Sequence, residues 1–374
     1  MKHHFKSADL TLGLELELQL VNMHTHDLSH CAKKIIREIQ NSSFKDNIKP
    51  EVTQSMIEIN SSVHYKPSTL HKELNLICQY LRHVSNKEGV SLCGGGTHPF
   101  QNWMDRKIFP SMRFRNISKK YGYLAKKLTV FSMHVHVGCP SPDMAIYLTH
   151  MLSRYVPQFI GLSASSPFYN GVNTGFNSTR ININDTFPQS GHIPMVKNWS
   201  DFCRYFYKMK NINIVNCMKD FYWDVRPKPE FGTVEVRVCD MPLTLDKAIM
   251  LAAYIQTISS YLVQEQPFEL RHDFYDAYHF NRFQASHFGY DGKFINPFTL
   301  QTTTIQKDIL STIKILRPYA KAMGTYSYLY NLRKLAAQKE NDAGFLKNQF
   351  NLSKSLINTV QEKCKAWKYS LVSA

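Results

Sequence analysis

The stretch Leu10-Thr11-Leu12-Gly13-Leu14-Glu15-Leu16-Glu17-Leu18-Gln19-Leu20-Val21 alternates almost without error. Every even position from Leu10 to Leu20 is leucine, and the odd positions carry Thr, Gly, Glu, Glu and Gln. In a strand successive side chains point to opposite faces, so this pattern predicts one buried face and one polar face. Glu15 and Glu17 then share the polar face, with Cα atoms roughly 6.5–7 Å apart.

Three further segments repeat the design. Val52 to Asn60 reads as a strand with Gln54, Met56, Glu58 and Asn60 on one side. Val130 to Gly138 sets Phe131, Met133, Val135 and Val137 against Ser132, His134, His136 and Gly138. Thr233 to Cys239 has Val234, Val236 and Val238 on one face, with Glu235 and Arg237 on the other. Between the strands the spacing predicts helices. Ser68 is expected to cap one carrying Leu70, Leu74, Ile77 and Leu81. Pro142 starts another to about Ile160, Ser200 caps a third, and Thr244 opens one with Leu251, Ile255, Ile258 and Leu262. Beyond residue 300 the pattern is helical to the end, and Leu352, Leu356, Val360 and Trp367 form the stripe of the last helix.

The chain has 374 residues, 43% hydrophobic, enough for a large core, and its 20 Tyr, 23 Phe and 4 Trp argue against disorder. No repeat, linker or low-complexity tract interrupts it, so residues 1–374 read as a single domain with a helical part from about 300 to 374. No apolar stretch is long enough to span a bilayer, and no apolar segment follows the N-terminal Met-Lys-His-His, so His3 and His4 read as a surface tail. None of the eight cysteines forms a C-x-x-C pair, which fits reduced thiols and a cytoplasmic setting. The net charge of +16 suits anionic partners. Its densest run, Arg106 to Lys127, reads as an amphipathic helix with a basic face rather than a nucleic-acid site.

Any one polar strand face is ordinary for a half-wet sheet. Together, the four offer several carboxylates, two imidazoles and an arginine. That is the inventory of a divalent-metal site handling phosphates, and oxygen donors with one imidazole suit Mg²⁺ or Mn²⁺. Clustered carboxylates without a cation would repel one another. No GxxxxGK[ST] or GxGxxG loop is present, and Cys93-Gly94-Gly95-Gly96-Thr97-His98-Pro99 lacks the lysine of a phosphate loop.

The ordered motifs Gly13-x-Glu15-x-Glu17, Gln54-x-x-x-Glu58-x-Asn60, Gly96-Thr97-His98-Pro99 and His134-Val135-His136-Val137-Gly138 resemble the glutamate–cysteine ligase type 2 family. So do Leu162-Ser163-Ala164-Ser165-Ser166-Pro167, Gly171, Thr174-Gly175 and Arg180. Trp223-Asp224-Val225-Arg226-Pro227 and Gly232-Thr233-x-Glu235-x-Arg237 complete the series. The resemblance, to the carboxylate–amine ligases of that family, implies an α+β fold. Its curved, mainly antiparallel, glutamine-synthetase-like sheet would carry helices on its convex face. It implies ATP and Mg²⁺ as cofactors, an acid and an amine, both amino-acid-like, as substrates, and a homodimer. It assigns Glu17 and Glu58 to one metal, and Glu15, His134 and Glu235 to another. It places Arg237 on an ATP phosphate and His136 beside substrate or phosphate, with the two histidines interchangeable. Thr97, His98 and Arg226 fall among the expected nucleotide contacts.

Arg180, Arg226 and Arg282 are the candidates to grip an anionic substrate, while Asp224 and Arg226 have mutual pairing as an alternative. Trp223 reads as core and Cys139 as packing. The family segment Glu-Asn-Arg-Trp-Arg-Ala is here Phe280-Asn281-Arg282-Phe283-Gln284-Ala285, without the acidic residue and second arginine. The substrate pair is therefore open. The expected reaction is amide formation through an acyl phosphate, glutamate–cysteine ligation included. The rival expectation is a regulatory or nucleic-acid-binding protein on the same fold. A metal hydrolase would want more histidine and aspartate in ligand spacing than these motifs offer.

Overall fold

The computed structural model describes residues 5–371; the expectation for His3 and His4 lies outside them. Seven strands form the main sheet: β1 (Leu12–Asn22), β2 (Ile48–Pro50), β3 (Met56–Asn60), β4 (Val90–Cys93), β5 (Ser132–Gly138), β6 (Val225–Lys228) and β7 (Thr233–Asp240). Their order is β6-β7-β5-β1-β3-β2, with β4 on the far end of β1, and every pairing is antiparallel.

The leucine face of β1 is fully enclosed. Helices Pro67–Lys87 and Leu245–Glu265 pack beneath it, and Pro142–Ser153 with Val156–Ser163 lie under β6 and β7. One continuous apolar core runs from Phe5 to Leu371, so the C-terminal helices share the body of the sheet.

The four expected strands form, but β3 is shorter than expected. It starts at Met56, and Gln54 sits in the turn before it, donating to the Ile108 carbonyl. The opposite face is not half-wet: all seven residues of β5 are buried. Two helix caps shift by two positions. Lys66 and Asn198, not Ser68 and Ser200, occupy the cap positions, while Thr244 caps as expected, accepting from the Lys247 amide. The helix after Pro142 breaks at Arg154-Tyr155 before Pro157, whose ring fits only a first turn. Leu352 lies in the last turn of a separate helix, Asp342–Ser353, and is exposed, so it leaves the stripe of Leu356–Ser370. The basic run forms two helices, Met112–Tyr121 and Leu124–Lys127, divided at Gly122, whose φ is +58°.

Candidate active site

Register carries the polar side chains into rows across the sheet. Arg226 on β6 lies opposite Glu235 on β7, which lies opposite His136 on β5. One step along, His134 faces Glu15, which faces Asn60. In a third row Glu17 faces Glu58 and Glu58 faces Lys49. Residues directly opposite on neighbouring strands share a face, so the register puts these groups on one side of the sheet. There Glu15, Glu17, Lys49, Glu58, Asn60, His134 and Arg226 border a cavity of about 780 Å³, and His136 and Glu235 are buried.

At the first acidic centre, Glu15 accepts from both histidines: His134 Nδ1 at 2.7 Å and His136 Nε2 at 3.2 Å. Glu235 Oε1 lies 3.8 Å from His134 Nδ1 and 4.0 Å from His136 Nε2. Glu15, His136 and Glu235 each offer a ligand atom within 4.8 Å of the others. The far side of each ring is also held: Ser132 Oγ is 2.9 Å from His134 Nε2, and Thr233 Oγ1 is 3.1 Å from His136 Nδ1. Such outer partners orient metal-binding imidazoles. Burial and the Arg237 charge push the His134 ring down to about 4, so it is neutral at pH 7. Burial alone would raise the Glu15 carboxyl, but the bonds from His134 and His136 overcome it and hold Glu15 well below the carboxylate range.

Glu235 is fully buried, and burial opposes its charge. Arg226 grips it with two bonds, Nε to Oε2 at 2.6 Å and Nη2 to Oε1 at 3.2 Å, and Arg237 Nη1 adds a third at 2.5 Å. These guanidinium charges keep it ionised.

The second centre is acidic without compensating bonds of that strength. Glu17 accepts from the Ser132 amide at 2.6 Å and hydroxyl at 2.7 Å. Burial, then the charge of Glu58, raises Glu17 to about 7. Glu58 rises to about 8 from burial and the charges of Glu51 and Glu15. Glu51, in the turn after β2, hydrogen-bonds Glu58 and rises to about 7 from burial and the Glu17 charge. Glu51 lies in a turn beyond the strand alternation, so the periodicity does not reveal it. Arg113 and Lys120, on the expected basic face, line the cavity with Asn116 from helix Met112–Tyr121.

Several expected contacts are elsewhere. Thr97 and His98 do not line the cavity. Thr97 Oγ1 donates to the Phe168 carbonyl at 2.7 Å, and the fully buried His98 ring bonds the His26 carbonyl at 2.9 Å. The glycines before them serve packing: a Cβ on Gly96 would stand 2.6 Å from Asp240 Cγ, and one on Gly94 would stand 2.1 Å from the Pro242 carbonyl oxygen. Arg226 reaches the cavity wall, yet its donors are committed to Glu235 and to the Met218 and Phe221 carbonyls, so it positions Glu235 rather than reaching for nucleotide. It does not pair with Asp224. That carboxylate takes Arg282 at 2.6 and 3.1 Å, and Arg282 also pairs with Asp185, which removes Arg282 from substrate binding.

Arg180 lies in a short helix rather than an open loop, with Nε on Asp240 at 2.8 Å and Nη2 on the Val238 carbonyl. It touches the cavity but is anchored behind it. Asp240 also takes Ser165, Ser166 and Ser178, so the serine-rich motif and Arg180 converge on one buried carboxylate. Arg237 remains half-buried in the cavity wall beside a β-bulge in β7. Trp223 is core, stacked on Phe221 at 4.2 Å. Cys139 is buried off the cavity with its thiol raised to about 12 by burial, and none of the eight cysteines forms a disulfide.

A model of glutamate–cysteine ligase family 2 (GCS2) matches residues 11–349. The chain belongs to that family. Among solved structures, the glutamate–cysteine ligase of Francisella tularensis, in complex with AMP, superposes with a TM-score of 0.73 at 12% identity, covering 98% of this chain and 91% of the other. A bifunctional glutathione synthetase from Pasteurella multocida gives 0.70 at 14% identity, over 97% of this chain and 52% of that longer one. The complex of the ligase PafA with the prokaryotic ubiquitin-like protein Pup gives 0.50 at 9% identity, over 95% and 67%. At these identities the three share the fold of this family 2 member. No helix among its described residues is long and apolar enough to cross a membrane.

Proposed function

We propose that this chain is an ATP- and Mg²⁺-dependent ligase that joins the carboxylate of one small molecule to the amine of another through an acyl phosphate. The observation that carries the reading is the pair of acidic centres side by side on one sheet face, under a wall of cations. Oxygen donors with imidazole fit Mg²⁺ or Mn²⁺. The raised carboxyls of Glu17, Glu51 and Glu58 are the fit test: a divalent cation among them removes the repulsion that keeps them protonated. Those three would hold one ion; Glu15 and Glu235, with His134 or His136, would hold another. When bound, the ions supply neutralisation of phosphate charge.

The protein's own part is positioning and electrostatics. Arg237 directs a guanidinium into the cavity beside Glu235, where a phosphate would lie. Arg113 and Lys120 line the cavity, and the Arg113 charge acts on Glu51; with no salt bridge to Arg113 among the described residues, its fork suits an anionic acid. In the first step an oxygen of the acid attacks the γ-phosphorus and ADP leaves with the bonding pair. In the second the amine nitrogen attacks the acyl carbon, phosphate departs, and the nitrogen gives up a proton. No side-chain nucleophile is used. The family, and the nucleotide-bound Francisella ligase that shares the fold, support the reading. A nucleic-acid role fits poorly with a cavity floored by carboxylates, which repel a polyanion.

Pairwise screening of acids and amines with ATP and Mg²⁺ tests it. ADP release that needs both partners is expected. No ADP with any pair, together with salt-dependent retention on nucleic acid, would overturn it.

A further inference from the structure

Phe231 is an exposed aromatic on the cavity wall, 57% accessible, at the tip of the β6–β7 hairpin. Its ring meets His136 edge-on at 6.0 Å between centroids, and Lys228 Nζ lies 5.6 Å from its centre. Single exposed apolar residues are common and need no role. This one differs because its turn is pinned. Gly232, at φ +65°, packs so closely on the N-terminal segment that a Cβ would overlap the Lys6 carbonyl oxygen. The Cys139 amide donates to the Gly232 carbonyl at 2.9 Å, and the Lys6 amide to the Pro229 carbonyl at 3.2 Å. The turn that carries the ring is therefore fixed, and the ring stays more than half exposed on the cavity wall.

The cavity has direction. Phe231 stands beside His136, which bonds Glu15 and lies 4.0 Å from Glu235, while the Arg113 charge acts on Glu51, the partner of Glu58. Resting on the ligase reading above, we infer that Phe231 is the stacking platform for the purine base of the nucleotide. The base lies at the hairpin, the phosphates run over the Glu15–Glu235 centre, and the acid occupies the Arg113 end. A flat π-face suits any base, and Lys228 beside it suits the nearby phosphates.

Titration calorimetry with ADP and Mg²⁺ on the whole chain tests this without knowledge of the acid or amine. Phe231→Ala should bind ADP roughly ten-fold more weakly, from the usual worth of one base–aromatic stack. Phe231→Tyr should retain the affinity, and tripolyphosphate, which has no base, should bind wild type and Phe231→Ala alike. Equal ADP affinity in wild type and Phe231→Ala would overturn the inference, as would an equal loss for tripolyphosphate. Failure of wild type to bind ADP at all would instead overturn the ligase reading beneath it.

Discussion

Glu58 faces Glu17 across an antiparallel pair, and Glu51 hydrogen-bonds it from the preceding turn. Like charges directly opposite on a sheet are destabilising, so the group must hold protons or a cation. Each of the three carboxyls has a folded value raised above its ordinary 4.5, to about 7, 7 and 8. The folded state therefore binds more protons than the unfolded chain. That stabilisation is complete below pH 4.5 and is lost as pH rises through 7 to 8, by at most about 1.4 kcal/mol per pH unit for each carboxyl. In chelator, the melting temperature of wild type should fall across this window. Glu58→Gln should flatten the fall, and Mg²⁺ should raise wild type more than the variant. A profile that neither Mg²⁺ nor the substitution alters would contradict the arrangement. Arg237 is the second test at this scale. Arg237→Lys keeps the charge and loses the fork, and Arg226 still grips Glu235, so the fold should survive while turnover falls roughly 100-fold. Melting and ADP-release assays on that variant check it; near-normal turnover would count against the role.

At the scale of elements, alternation alone located the four strands and their shared polar face, because parity is fixed by the pleat. Glu15, Glu17, Glu58, His134, His136, Glu235 and Arg237 were legible for that reason. Glu51 was not, since it sits in an irregular turn whose direction no period predicts. Arg113 and Lys120 were visible as a basic helix, but which way that helix faced depended on tertiary packing. The glycine-rich segment misled in the other direction, for its glycines answer to Asp240 and Pro242 rather than to a phosphate. Gly96→Ala should thus destabilise by about 1–3 kcal/mol through overpacking against Asp240, without changing the KM for ATP in the folded fraction. A selective rise in that KM with unchanged melting would return the segment to the nucleotide site.

For the whole molecule, the net charge of +16 has a partial address. Lys49, Arg113, Lys120, Lys219 and Lys228 ring a floor of carboxylates, which suits anionic small molecules entering a cavity that also takes cations. Composition showed the surplus but could not show where folding gathers it. The main core beneath the sheet leaves a cavity onto which Glu15, Glu17, Glu51, Glu58, His134, Arg113 and Arg237 open, while Glu235 and His136 are buried. The central claim is that the acid is activated by the γ-phosphoryl group before the amine attacks. Acid labelled with ¹⁸O in its carboxylate, turned over with ATP, Mg²⁺ and amine, tests it most directly by mass analysis of the products. The label should appear in released inorganic phosphate, with ADP as the nucleotide product. Label in AMP, with pyrophosphate released, would mean adenylation and would contradict it.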